Sequence, residues 1–371
     1  MTIHQVGPLR VGINGNNKFA KLVHKELSSE IEANNHSGDP DIAFYFSKGR
    51  IKEPGYKYNC GGNLSFNNTD IWVQESDYSY YTEGLFKDST TKVFVEFQDS
   101  LGLIGKVIEP IRRFRDSSFE SYINRSKTRF ASYTTLWPLI HFELLQYNSA
   151  FIHAGIVDID GSGTVLAGTG GAGKTSTTLE LLEDQDGNYL SEDFGIVGSN
   201  GALYYSPRYM TIYYSDYVHG QSNITSYIDQ ELTGLDKLHW LTQIKLGRNP
   251  QRKISPTDVL DECSIRTKSE VQRAIYLSRQ NVSKISVEKI STREFVDRSL
   301  WASFRELKRF YDLLCQTESA RDDNVDIPSV TEMMDHTRSI YSTCFSNSNT
   351  YHIKVPIGTG PKRVVSKIRQ L

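Results

Sequence analysis

Two rhythms of apolar and polar residues divide this chain. A period of two, the mark of a half-buried strand, runs through residues 9–13, 41–46 and Lys92-Val-Phe-Val-Glu-Phe97, while 18–31 carries the wider spacing of an amphipathic helix. Asn14-Gly-Asn-Asn17 is the turn between the first strand and that helix. From 105 to 145 the spacing is helical again, and Trp137-Pro-Leu-Ile140 with Phe142 to Leu145 predicts a helix buried on all sides. Residues 151–159 and 163–167 then read as two strands joined through Asp160-Gly-Ser-Gly163, a turn composition that suits a hairpin. Further strands are expected at 188–197, 202–205, 210–214, 274–278 and 285–288. Apolar residues at 300, 304, 307, 310, 311 and 314 predict one packed helix, and 331–341 another. These elements group into a small N-terminal α/β domain (1–104), a helical connection (105–147), a core (148–320) and a C-terminal extension (321–371).

Composition narrows the field without naming a function. The 371 residues are 23% charged and carry a formal charge of -2, so no global attraction to nucleic acid is expected, and any polyanion would need a local basic patch. Lys106, Arg112, Arg113, Arg115, Arg125, Lys127 and Arg129 form one such run, read first as a solvated helix face. No apolar stretch nears the ~20 residues that span a bilayer, and Met-Thr-Ile-His-Gln lacks the layout of a signal peptide, so a cytoplasmic protein without a membrane partner is expected. Cys60, Cys263, Cys315 and Cys344 are scattered, with no paired spacing for zinc or a disulfide framework, and are expected as reduced thiols.

The chemistry concentrates after the hairpin. Gly168-Thr-Gly-Gly-Ala-Gly-Lys-Thr175 is a complete phosphate-binding loop between a short apolar run and a helical segment that starts at Ser176. Its glycines Gly168, Gly170, Gly171 and Gly173, with Thr169 and Ala172 between them, let backbone N–H groups turn inward on phosphate oxygens, and the following helix offers the same anion its positive end. Lys174 would neutralise the β- and γ-phosphates and Thr175 would give its hydroxyl to Mg²⁺, so ATP and Mg²⁺ are the expected cofactors. Gly12-Ile-Asn-Gly15, by contrast, lacks the third glycine of a dinucleotide fingerprint and reads as structural. Phosphoryl transfer also needs a second metal ligand and a proton acceptor near the γ-phosphate. Glu192 and Asp193 are the candidates, and because neighbours on a strand face opposite ways, both can serve only if the strand ends or kinks there.

This arrangement resembles the HPr kinase/phosphorylase family and its smaller serine- and peptide-kinase relatives, which share a core with phosphoenolpyruvate carboxykinases. Four features carry the resemblance, between residues 141 and 208: His153-Ala-Gly155, the hairpin over Asp160-Gly161, the loop 168–175 and the pair Glu192-Asp193. It implies an α/β fold, with a P-loop kinase core of the HPr kinase/phosphoenolpyruvate carboxykinase type beside a smaller N-terminal α/β domain. It also implies transfer of the γ-phosphate to a serine-like hydroxyl on a small molecule or peptide. By the same resemblance Glu192 would be the base, Asp193 would join Thr175 at the metal, and His153 would lie beside the transferred phosphate. The family carries two aspartates where this chain has Glu-Asp, which leaves open a slip of the base to the neighbouring position.

Charge on the transferred group calls for a cation, and the candidates are Arg208 and the basic loop Lys245-Leu-Gly-Arg-Asn-Pro-Gln-Arg-Lys253. A nucleotide-dependent hydrolase or switch and a non-catalytic ATP-binding sensor or scaffold are the rival expectations. The basic tail, with Lys362, Arg363, Lys367 and Arg369, either completes a sheet or meets a partner subunit, so a homo-oligomer stays open.

Overall fold

The computed structural model describes residues 1–27, 38–47, 58–60, 64–67, 70–74, 78–85, 89–97, 135–183, 187–214, 217, 222–231, 234–248, 250–260, 264–320 and 326–371. The chain is mixed α/β with two multi-stranded sheets, one in each of two compact units. Met1–Ser28, Glu32–Leu144 and Leu307–Met334 make the first unit; Leu145–Glu306 and Asp335–Leu371 make up nearly all of the second. The sequence-based divisions fall elsewhere, at 104/105, 147/148 and 320/321. The basic run 106–129 and the turn residues 184–186 lie outside the described residues.

In the first unit, β1 (Thr2–Val6) and β2 (Leu9–Asn14) form a hairpin, and α1 (Lys18–Leu27) crosses from β2 to the parallel β3 (Ile42–Ser47). Asn17 caps α1, its Oδ1 accepting the Ala20 N–H at 2.9 Å, and Ala20, Val23 and Leu27 are buried along one side. Strands β4 (Tyr58–Cys60), β5 (Leu64–Phe66), β6 (Ile71–Gln74), β7 (Tyr78–Glu83) and β8 (Thr91–Phe97) complete the sheet in the order β1-β2-β3-β8-β7-β6-β5-β4, with β8 parallel to β3 and the meander antiparallel. The helix α2 (Trp137–Gln146) follows; its residues 137 to 145 are all buried, as its unbroken apolar sequence requires.

The second unit is built around two long strands. β9 (Ser149–Ile159) and β10 (Ser162–Gly168) form the hairpin, with φ of 52° at Asp160 and 80° at Gly161, the left-handed pair that a two-residue turn of matching twist needs. The phosphate loop leads into α3 (Lys174–Glu183). The single strand expected over 188–197 is two, β11 (Gly187–Ser191) and β12 (Phe194–Gly198), both antiparallel to β9 and interrupted at Glu192-Asp193. The chain continues through β13 (Ala202–Tyr204), β14 (Met210–Tyr213), α4 (Ser222–Glu231), α5 (Gly234–Lys245), β15 (Gln251–Ile254), α6 (Pro256–Val259), β16 (Lys268–Gln280) and β17 (Ser286–Lys289). β16 pairs with β13 at its start and then runs parallel to β10 and to β18 (Asn349–Pro356), so the carboxyl ends of β10 and β16 lie side by side.

The helix expected over 300–314 is also two: α7 (Thr292–Glu306) in the second unit and α8 (Lys308–Ala320) in the first. Leu307 is the break. It is buried like Leu300, Phe310, Tyr311 and Leu314, and its carbonyl accepts the Phe310 and Tyr311 N–H groups of the new helix, so the apolar period passes through the interruption unchanged. α9 (Val330–Cys344), β18 (Asn349–Pro356) and α10 (Pro361–Ile368) close the chain, with β17 antiparallel on the far edge of β18. Val364, Val365 and Ile368 of α10 share a core with Leu179, Leu181 and Leu182 of α3, so the C-terminal helix backs the helix that leaves the phosphate loop.

Candidate active site

The loop sits at the carboxyl end of β10, where open α/β sheets present ligands. Gly173 has φ of 94° and Gly171 of 77°, conformations that a side chain would strain. On one side the loop is closely supported: a methyl group on Gly168 would stand 2.5 Å from the Leu277 carbonyl oxygen of β16. On the other it is open, because methyl groups on Gly170 or Gly171 would meet nothing within 4 Å. That open rim leaves room for an oxyanion.

Lys174 is buried and uses its three ammonium protons locally. Nζ donates to Gly168 O at 2.9 Å and Thr169 O at 3.3 Å, and lies 3.0 Å from His153 Nε2. Because the ammonium only donates, Nε2 is the acceptor, and the imidazole proton sits on Nδ1, 3.0 Å from Asp193 Oδ1. Burial drives the Lys174 pKa down, partly offset by Asp193, Glu192 and Glu306.

β9 carries His153 because of the way it is held. Its N–H donates to Ser303 Oγ of α7 at 2.9 Å. Two residues on, a methyl group on Gly155 would collide with Thr178 Oγ1 of α3, so glycine is what lets the loop helix lie against this strand. The strand break beside them separates the two carboxylates. β11 pairs along the second half of β9 and β12 along the first, and Glu192-Asp193 span the gap, with Asp193 O accepting the Ala154 N–H at 3.1 Å. Freed from strand alternation, both side chains reach the loop region, as the sequence requires if both are to act.

They face different partners. Glu192 Oε1 accepts a hydrogen bond from Thr175 Oγ1, and Oε2 is 3.4 Å from the Thr211 N–H of β14. Asp193 instead takes His153 on one oxygen and, on the other, Arg208 Nη1 at 2.8 Å. Arg208, itself buried, stacks 4.3 Å from the Phe194 ring centroid, on the strand that begins just after the dyad. The carboxylate beside the loop hydroxyl is therefore Glu192, whereas the resemblance gave that place to Asp193.

Electrostatics separates the pair further. Burial and the Asp193 charge push Glu192 up to about 7, against the pull of Thr175, Arg208 and Lys174. Burial also acts upward on Asp193, but the Arg208 guanidinium and the His153 hydrogen bond outweigh it and hold its carboxyl well below the usual range. Two adjacent acids thus differ in charge compensation, a pattern found where one binds a cation and the other handles a proton.

Hard oxygen donors at Thr175 and Glu192 suit Mg²⁺, which takes one or two protein oxygens and completes its shell with phosphate and water. No group of three or more His, Cys, Asp or Glu suited to a metal occurs among the described residues.

Glu306, at the end of α7 with Oε1 3.8 Å from His153 Nε2, is a member of the site that no sequence motif announces. Of the basic loop, Lys245 and Arg248 are exposed, and Arg248 Nη1 donates to Gln243 Oε1 at 2.9 Å within its own segment; the Arg252 and Lys253 side chains lie outside the description. Arg208 is thus the candidate cation that joins the cluster. No protein-family model and no curated protein matches the chain, so what it does must be read from these side chains.

Proposed function

We propose that the protein is an ATP-dependent phosphotransferase with a P-loop kinase core, moving the γ-phosphoryl group to a serine-like hydroxyl on a small molecule or peptide. The observation that carries this reading is the convergence of two differently partnered carboxylates on one phosphate loop: Glu192 on the Thr175 hydroxyl, Asp193 on His153 and Arg208. A simple phosphate-binding loop needs only the first.

Backbone N–H groups of 168–175 and Lys174 would hold the triphosphate, Lys174 exchanging its contacts with Gly168 O and Thr169 O for phosphate oxygens. Thr175 and Glu192 would hold Mg²⁺, which when bound would supply neutralisation of phosphate charge. Asp193, kept ionised by Arg208 and oriented by His153, receives the acceptor's proton late, once the acceptor oxygen has begun to bond to phosphorus and its hydroxyl has become acidic, as the bond to the β-phosphate oxygen breaks. Arg208 and Lys174 offset charge on the phosphoryl oxygens in flight. These roles exchange those the resemblance implies for Glu192 and Asp193, following the partner each acid has.

Incubation with γ-labelled ATP and fractionated acceptors tests the reading. Label in a hydroxyl-bearing product supports it; free phosphate alone points to the hydrolase or switch, and tight ATP binding without turnover to the sensor or scaffold.

A further inference from the structure

The phosphate loop has a second cation beside it that no motif includes. Arg279 stands near the carboxyl end of β16, the strand parallel to β10, and approaches the loop at Gly173, the residue before Lys174. A methyl group on Gly173 would lie 3.1 Å from Arg279 Nη2 and 3.6 Å from Nε. The other end of the guanidinium is anchored: Nη1 points to Thr359 O at 3.1 Å and Pro356 O at 3.4 Å, in the turn between β18 and α10. Among the described residues no carboxylate pairs with Arg279. A guanidinium has five N–H donors, and the edge carrying Nε and Nη2 faces the loop.

An arginine held by backbone carbonyls, with no counter-ion and one edge turned to an anion-binding loop, is itself arranged for an anion. Lys174 and Arg208 are tied instead to His153 and Asp193, on the β9 side of β10, the side away from β16, where the transferred group would be. We infer that Arg279 is a second nucleotide-binding residue, contacting the non-transferred phosphates, and that the C-terminal turn 356–359 sets its position. The inference rests on the nucleotide reading of the loop and extends it to β16 and the C-terminus.

The measurement is calorimetric titration of the full chain with ATP, ADP and inorganic tripolyphosphate in the presence of Mg²⁺, for wild type, Arg279→Gln and Arg279→Lys. Loss of one charged contact should raise all three Kd values in Arg279→Gln by a common factor of roughly 10 to 100. Arg279→Lys should recover part of the loss, and the ligand-free thermal midpoint should stay near wild type in both. Wild-type affinity in Arg279→Gln overturns the inference, as does a loss confined to ATP and ADP with tripolyphosphate spared, or a fall in affinity that tracks a fall in the thermal midpoint and that lysine does not relieve. Wild type binding none of the three overturns the nucleotide reading itself.

Discussion

His153 and His352 are both buried on strands of the second unit, and each has a polar or charged neighbour beside both ring nitrogens, yet they are chemically opposite. His153 has a carboxylate, Asp193, on Nδ1, so its Nε2 lone pair faces Lys174. His352 has a cation: Arg298 Nη1 lies 3.5 Å from its Nδ1, so that nitrogen accepts and Nε2–H is spent on Ser278 Oγ at 2.7 Å. Ser278 beside His352 looks like a nucleophile and its base, but a protonated Nε2 cannot take the serine proton. Burial first, then Arg298 and Lys354, lower the His352 pKa as well. The nitrogen away from the reaction decides which histidine can do chemistry, and the sign of its neighbour decides for that nitrogen.

The contrast is broken most forcefully at its acid. Asp193→Asn, which keeps shape but removes the charge, should lower transfer by roughly 10²- to 10⁴-fold and leave the ATP Kd within about twofold; retained turnover in a steady-state assay would reassign the proton acceptor. Next come the histidines in parallel. His153→Gln should reduce kcat by roughly 10- to 100-fold, and His352→Gln should leave kcat within about twofold. Equal losses would remove the distinction.

Much of this site is legible in the sequence, and the reasons are local. Loop 168–175 and the hairpin turn Asp160-Gly161 need particular backbone conformations, and glycine announces those. The break at Glu192-Asp193 follows from requiring two adjacent acids to act together. Which acid faces Thr175 was not legible, because it depends on how β11 and β12 divide β9 between them, a pairing set by distant segments. Glu306 and Arg279 are silent for the same reason: one ends a helix and the other a strand, more than a hundred residues from the loop in sequence. The interruption at Leu307 leaves no trace in periodicity, since the buried face keeps its phase.

A gentler perturbation sharpens the comparison through support instead of chemistry. Gly155→Ala forces a methyl against Thr178 Oγ1 and should destabilise the second unit by roughly 1–3 kcal/mol, as overpacking does. Transfer should fall with it, because His153 and α3 share that contact; an unchanged melting curve would show that the helix can yield.

The smallest effect tests the same rule, that the neighbour sets the charge state, in the first unit. Glu143 is buried with no cation among the described residues to match Arg208, and burial raises its pKa to about 8, the Thr91 hydrogen bond opposing and Asp41 adding to the shift. Thr91 Oγ1 also lies 3.2 Å from Gly84 O, and a neutral Glu143 that donates to Thr91 lets the hydroxyl proton go to Gly84. The folded state then holds a proton that the unfolded state, with an ordinary value of 4.5, has released, so stability falls as pH rises from the lower value through the upper. Between about pH 6 and about pH 8.5 the thermal midpoint should drop by roughly 2–4 °C, and Glu143→Gln should flatten that slope. A slope unchanged in the glutamine variant would assign it to another group.

The change of unit at Leu307 bears on how the protein is made. Leu307–Met334 belongs with the first ~140 residues, and α8 lies against β4, with Cys60 Sγ 3.6 Å from Gln316 O. A nascent chain emerging from the ribosome therefore carries the N-terminal sheet without α8 while nearly all of the second unit is synthesised, and only then gains that helix. The first unit cannot be complete until Leu307–Met334 has emerged, and a fragment cut after Leu144 would lack that segment.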